Sequence, residues 1–341
     1  MAFYPKEKRT ILTASPMPNG GIFTFDRFPM DGLGITKIRL LLCATVVAGT
    51  NTTPNTTGCY NYLKGVTLRN NRDETYFQAV PGLALLRAGW NWDKAAPHYD
   101  PVLLAGGVFR AVLDLPVTYP FLRRPEDTIV ETKRLNSMTL EIACGTILDF
   151  LSVAGTGTVA VTIGIEIIGT RASVGLNQDG LPDPKSAAAI YHSYMRTYPM
   201  LHADVQTFWD LEAAPDLALM GFLLYNHGAS GIPWVGALAS IGNDHVTQVS
   251  FADIGHRYLN GILDLSFQHE RYIWPNEDYN RHAADVTSPI SQLGEYPHSF
   301  VENGSINEAY AAKLIARLEW INATATDETD LLVWGIRKLR E

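Results

Sequence analysis

The chain has 341 residues, of which 46% are hydrophobic and 18% charged, and a formal net charge of −8. That length suits two domains of ~150 to 180 residues, and that apolar content supplies real cores and excludes a disordered chain. A charged share below the ~25% of a typical soluble domain, with 28 Gly, 19 Pro, 7 Trp, 15 Tyr and 13 Phe, suits a turn-rich all-β protein. It also suits one that covers part of its surface with copies of itself, because interface cores are poor in charge.

Charge divides the chain. Residues 1–172 hold 17 Lys and Arg against 14 Asp and Glu, a balance of +3; residues 173–341 hold 10 against 21, a balance of −11. Two units with different electrostatic surroundings follow. A nucleic-acid binder would show a dense basic patch, and only Lys6, Lys8 and Arg9 cluster near the start. They read as a solvated N-terminal arm; the alternative is contact with an acidic partner or an anionic membrane surface.

In chain order, the first strong signal is Ile35–Cys43, where Ile38, Leu40 and Leu42 point one way and Lys37 and Arg39 the other. Residues 51–58 are Asn, Thr, Pro and Gly, a loop by composition. Lys64–Arg69 alternates again, with Val66 and Leu68 inward. Residues 81–96 predict a short helix begun by Pro81, or an irregular crossing. Val108–Leu115 is a strand, Pro116–Pro125 a proline-rich loop, and Ser137–Ala143 a strand with Met138, Leu140 and Ile142 on one face. The clearest run is Val159, Val161, Ile163, Ile165 and Ile167, the β-branched alternation of a half-buried strand.

Arg171–Lys185 reads as a linker, and Ser186–Met195 as a helix capped by Asp183 and Pro184. The β pattern resumes at Val205–Leu211, Leu217–Tyr225, Val246–Ile254, Gly261–Phe267, Leu314–Ile321 and Leu331–Ile336. Two long aperiodic stretches, 226–244 and 272–311, interrupt it. No repeat of 20–50 residues and no strand–helix alternation is visible, which argues against solenoids and parallel α/β sheets. The expected fold is all-β: two tandem jelly-roll sandwiches with a few short helices. The expected units are 1–172 with an N-terminal arm, 173–196 as linker and short helix, and 197–341.

Chemistry is sparse. No phosphate-binding glycine loop, dinucleotide fingerprint, HExxH or nucleophile elbow occurs. His269, Glu270, Glu277, Asp278, Arg281 and His282 form the densest ionisable cluster; their spacing matches no ligand pattern, so a solvated loop with internal ion pairs is favoured over a metal or acid–base site. Trp90, Trp92 and Tyr99 suggest a sugar platform, yet the neighbouring Leu83, Leu85 and Leu86 favour packing. Asp93, Asp100 and Asp114 lack calcium spacing. Cys43, Cys59 and Cys144 are too few for a disulfide framework, and Cys43 and Cys144 are expected as buried free thiols. No catalytic, cofactor-binding or metal residue is assigned. Without a signal peptide or a long apolar span, a soluble, cytoplasmically made protein is expected.

The run Ile35–Val47, the segment Tyr62–Asn71, the crossing to Gly106–Arg110, the alternating pair 137–143 and 159–168, and the linker into a second β unit together resemble the double jelly-roll major capsid proteins of icosahedral, tailless, often membrane-containing bacteriophages. The resemblance lies in organisation along nearly the whole chain and rests on no short motif. It implies a non-enzymatic shell subunit, made in the host cytoplasm and located in the virion, whose homotrimers form pseudo-hexagonal capsomers. The implied partners are its own copies, penton or minor capsid proteins, and an internal membrane reached by the N-terminal arm. A carbohydrate-binding or carbohydrate-active β-sandwich and a host-attachment spike are the competing readings.

Overall fold

The structure is a computed structural model; it describes residues 6–47, 49–50, 53–54, 58–93, 107–118, 128–153, 155–171, 191–202, 206–210, 217–228, 246–252, 257–262, 295–299, 301–302, 305–306, 317–322 and 327–338. The first barrel is built from β1 (Lys6–Pro16), β2 (Gly21–Phe25), β3 (Leu33–Val47), β5 (Leu63–Asn70), β6 (Thr75–Val80), β7 (Gly107–Pro116), β9 (Met138–Cys144) and β11 (Thr158–Arg171). Short additions are β4 (Thr53–Pro54), β8 (Val130–Glu131), β10 (Leu151–Val153) and the helices α1 (Gly58–Asn61), α2 (Gly82–Asp93) and α3 (Ile147–Phe150).

Its sheets run in the order β1-β11-β3-β7 and β6-β5-β9-β2. Numbering the eight main strands along the chain, the first pairs with the eighth, the third lies between eighth and sixth, and the second-seventh-fourth-fifth order fills the facing sheet. That is a jelly roll.

The second barrel repeats the scheme. Its main strands are β12 (Tyr191–His202), β13 (Gln206–Asp210), β14 (Leu217–Gly228), β15 (Val246–Ala252), β16 (Arg257–Ile262), β17 (Glu295–Ser299), β20 (Arg317–Asn322) and β21 (Asp327–Lys338); β18 (Val301–Glu302) and β19 (Ser305–Ile306) pair with each other. The orders β12-β21-β14-β17 and β13-β20-β15-β16 reproduce, strand for strand, the two orders of the first barrel. The all-β tandem jelly-roll expectation holds.

Alternation places the core as the sequence predicts. Ile38, Leu40, Leu42, Ala44 and Val46 of β3 face Leu140 and Ile142 of β9, with Ile163, Ile165 and Ile167 beside them. Fully burying each such aliphatic side chain contributes roughly 1.5–3 kcal/mol. The helix expected after Pro81 is α2, opened by the Leu85 amide donating to the Pro81 carbonyl at 3.0 Å and burying Leu83, Leu85 and Leu86.

Three expectations are corrected. Lys6–Arg9 is not a solvated arm: β1 pairs antiparallel with β11 from Lys6↔Thr170 to Pro16↔Thr162. A Cβ at Gly164 would lie 2.9 Å from the Thr13 carbonyl oxygen, so glycine is what lets β1 cross β11 that closely. The helix expected over Ser186–Met195 is strand from Tyr191 onward, since β12 pairs with β21 from Tyr191↔Lys338 to His202↔Glu328. Tyr191–Met195 holds no Ala and its tyrosines favour a strand, so sheet pairing prevails there, while residues 186–190 lie outside the described residues. The stretch 272–311 is not wholly aperiodic, because β17, β18 and β19 fall within it.

The two barrels share a sheet. β6 and β12 lie side by side in parallel, with Met195 beside Phe77 and Arg196 beside Gln78, which fuses the strands into the order β17-β14-β21-β12-β6-β5-β9-β2. The buried cluster follows the join, running from the first barrel into Met195, Leu223, Leu332, Trp334 and Ile336.

Candidate assembly surfaces

The described residues present two ionic clusters and two exposed apolar spots. The first cluster lies at the seam. Asn70 ends β5 and Glu74 precedes β6; the turn between them carries Asp73 at φ 59° and is braced by the Asn70 side-chain oxygen, which accepts from the Arg72 and Glu74 amides at 2.9 and 3.2 Å. That turn puts the Glu74 carboxylate, 1% exposed, against Arg134 of the 3-10 turn Thr132–Arg134. One Arg134 Nη2 donates to both Glu74 oxygens at 2.8 and 2.6 Å, and Asn70 Nδ2 donates to Oε2 at 2.6 Å and to the Tyr76 hydroxyl at 3.1 Å. Burial pushes the Tyr76 phenol well above its ordinary range, helped by the Glu74 charge.

The second barrel completes this cluster. His192 of β12 stands edge-on to the Tyr76 ring, centroids 5.3 Å apart. Its Nδ1 is 3.0 Å from the Ser193 carbonyl, which can only accept, so Nδ1 carries the proton. Burial holds His192 below its ordinary pKa, and the Arg337 and Arg134 charges push the same way, against Glu74 and the carbonyl. The Ser193 hydroxyl donates to the Val117 carbonyl at 2.8 Å, and the Tyr194 hydroxyl to Gln78 Oε1 at 3.4 Å. Arg337 covers the Tyr194 ring at 4.6 Å. The seam is therefore buried, polar and bonded across.

The second cluster runs over the outer face of β1-β11-β3-β7. The ladder brings Thr10, Glu166, Arg39 and Asp114 into one row across four strands. Arg39 grips Asp114 through two nitrogens at 2.7 and 3.0 Å, Lys37 approaches it at 3.2 Å, and Lys8 lies 2.7 Å from Glu166. Burial alone would raise Asp114, but Arg39 and Lys37 outweigh it and hold the carboxyl below its ordinary value. Nearby, Arg9 is engaged by Glu7 and by Asp31, which it holds low.

Exposed large apolar side chains gather in two places. Ile22 on β2 and Leu148 on α3 are 66% and 63% exposed; Val47 and Val108 sit at one end of β3 and β7. The arrangement offers surfaces for contact. Among the described residues no group of three or more His, Cys, Asp or Glu could hold a metal ion, and no helix is long and apolar enough to cross a membrane.

Several sequence candidates fall elsewhere. The cluster His269–His282, Tyr99 and Asp100 lie outside the described residues, while Trp90, Trp92 and Asp93 fall on α2. Asp114 is an ion-pair partner. Cys144 is buried as expected, and burial raises its thiol; Cys43 is only half-buried, because it sits on the outer face of β3 between inward Leu42 and Ala44. Sequence reading missed the Glu74–Arg134–His192 cluster, whose members are far apart in the chain. The turn Asn70–Glu74, rich in side chains that bond their own backbone, is the signal that could have marked one part of it.

No protein-family model and no curated protein matches the chain. Solved structures do. The STIV MCP crystal structure superposes with a TM-score of 0.67 at 15% identity, covering 98% of this chain and 97% of that one. The atomic structure of Sulfolobus Turreted Icosahedral Virus gives 0.68 at 14% identity, over 98% and 91%. The major capsid protein P2 of bacteriophage PM2 gives 0.56 at 10% identity, over 99% of each chain. From the first strand of one barrel to the last strand of the other, this chain has the double jelly-roll fold of those major capsid proteins.

Proposed function

We propose that the protein is the major capsid protein of an icosahedral virus, trimerising into pseudo-hexagonal capsomers that tile the shell. The observation that carries this reading is the repetition of one eight-strand order in two barrels joined side by side. A subunit with two like barrels gives a trimer six like faces, which suits a hexagonal lattice. End-to-end likeness to several major capsid structures supports it. The role is structural, without catalytic, cofactor or metal residues, and the place of action is the virion. Minor capsid proteins and an internal membrane are the remaining partners of this reading; Lys8 and Arg9 already face carboxylates of their own barrel, so vesicle flotation should be unaffected by neutralising both.

Native mass measurement of the purified protein tests the core of the proposal: trimers or larger assemblies are expected, with shells or hexagonal sheets in electron micrographs. A stable monomer that binds glycans would overturn it. The +3 and −11 halves add a mechanism, because barrel one of one copy would abut barrel two of the next, favouring that heterologous contact over like with like. Trimer dissociation should then rise with salt; a trimer mass unchanged from 0.05 to ~1 M salt would remove charge from the mechanism.

A further inference from the structure

In a jelly roll the chain reverses at every main strand, so the first and fifth strands run in the same direction. Here these are β1 and β6 in one barrel, β12 and β16 in the other. The barrels meet where the fifth strand of the first, β6, lies beside the first strand of the second, β12, and that pair is parallel. All other pairs among the described strands are antiparallel. A parallel fifth-to-first contact arises when one barrel is carried to the next by rotation about an axis along the strands. A two-fold axis across the strands would make it antiparallel. Repeating the rotation leads from the second barrel to the first barrel of another copy.

The edges that such a step would use are β16 and β1. Each is the end strand of its sheet among the described residues, in the orders β13-β20-β15-β16 and β1-β11-β3-β7. These are also the two four-strand orders that the internal seam leaves unjoined. We propose that β16 of one copy lies alongside β1 of the next in the parallel sense, the intermolecular counterpart of the β6–β12 seam. The inference rests on the trimeric reading above and adds which edges meet and in which direction.

The contact is short. The internal seam pairs only two residues on each side, and both first strands are irregular: β12 slips register between Tyr198 and Leu201, β1 between Thr10 and Leu12 and again between Leu12 and Ser15. Bulges and charge on an edge discourage indiscriminate strand pairing, so β1 would accept a placed partner and resist others. The contact is also heterologous, joining two different patches, and such contacts form closed rings when the rotation closes.

Hydrogen exchange on the unmodified assembled protein, compared with dissociated chains, tests it directly. Amides of β1 and β16 should gain protection on assembly; gain on β2 and β17 instead, with β1 and β16 unchanged, overturns the assignment. Oxidative cross-linking gives a second measurement. Neighbouring strands lie ~4.8 Å apart, within disulfide reach, so T10C combined in turn with Y258C, N260C or I262C should give covalent trimers for at least one pair, and none for the single variants. Trimers that form without cross-links or added protection defeat the edge assignment alone. A chain that stays monomeric defeats the trimeric reading itself.

Discussion

At the seam, Glu74 is 1% exposed and meets Arg134, itself 19% exposed, with Asn70, Tyr76 and His192 closing the site. On the outer face of β1-β11-β3-β7, Asp114 and Arg39 form the better ion-pair geometry, two nitrogens on two oxygens, but are 26% and 30% exposed. Geometry and burial thus point in opposite directions, and burial decides the energy. A charge removed from water must be compensated locally, whereas one at the surface is served by solvent and screened by ions. The seam pair should be strongly coupled and hard to break; the outer pair, well made as it is, should matter little.

The largest effect is expected from Arg134→Met. It takes the guanidinium away from the buried Glu74 carboxylate, and losing one partner of a buried pair costs about 3–5 kcal/mol. Denaturant unfolding should show that loss. The double variant Arg134→Met, Glu74→Leu should recover most of it, because an apolar replacement of the whole pair leaves no charge stranded. A single variant that loses under ~1 kcal/mol would mean the seam is wet in solution, and the contrast with the outer face would collapse.

Next in size is His192. Its folded pKa is lowered by burial, so the folded seam refuses a proton that the unfolded chain accepts. Stability from the neutral imidazole is complete above the ordinary value of ~6.5 and falls as pH drops below it, by up to about 1.4 kcal/mol per pH unit until the folded pKa is reached. The wild-type protein should therefore lose ground to His192→Asn between pH 6.5 and 5. A constant difference between the two across that window would show that His192 does not titrate in the seam.

How much of this was legible in the sequence depends on how each strand is covered. β3, β5 and β9 each have one face in the core and one toward solvent, so period two shows plainly, as in Met138, Leu140 and Ile142; β11 keeps it in residue type, Val161, Ile163, Ile165 and Ile167, although Gly164 and Glu166 between them are buried too. β12 does not show it, because its interior place in the fused sheet buries His192, Ser193, Tyr194 and Met195 in succession. β1 fails for the opposite reason: an end strand with two register slips buries no steady stripe, and its charges read as an arm. β17 carries Pro297 in its middle, tolerated because it is an end strand. The seam cluster was invisible for want of local spacing: Arg134 reaches Glu74 across 60 residues, and His192 comes from another barrel. Fold class is written in the half-covered strands, while the join is written in the fully covered ones, where pattern is lost.

The smallest effects belong to the outer row. Asp114→Asn should cost about 0.5–1 kcal/mol near neutrality, the usual worth of an exposed pair. Arg39 and Lys37 hold the Asp114 carboxyl below its ordinary value, so its contribution is present above ~3.9 and disappears as pH falls through the lowered pKa; wild type and variant should converge in acid. Salt sharpens the comparison further. Raising ionic strength from ~0.1 to ~1 M shortens the screening length from about 10 to 3 Å, which should shrink the Asp114→Asn difference to a few tenths of a kcal/mol. The Arg134→Met difference should barely move, since Glu74 is 1% exposed and salt screens a buried charge far less than a surface one. Equal salt sensitivity of the two would show that both clusters are wetted alike, whatever their hydrogen-bond geometry.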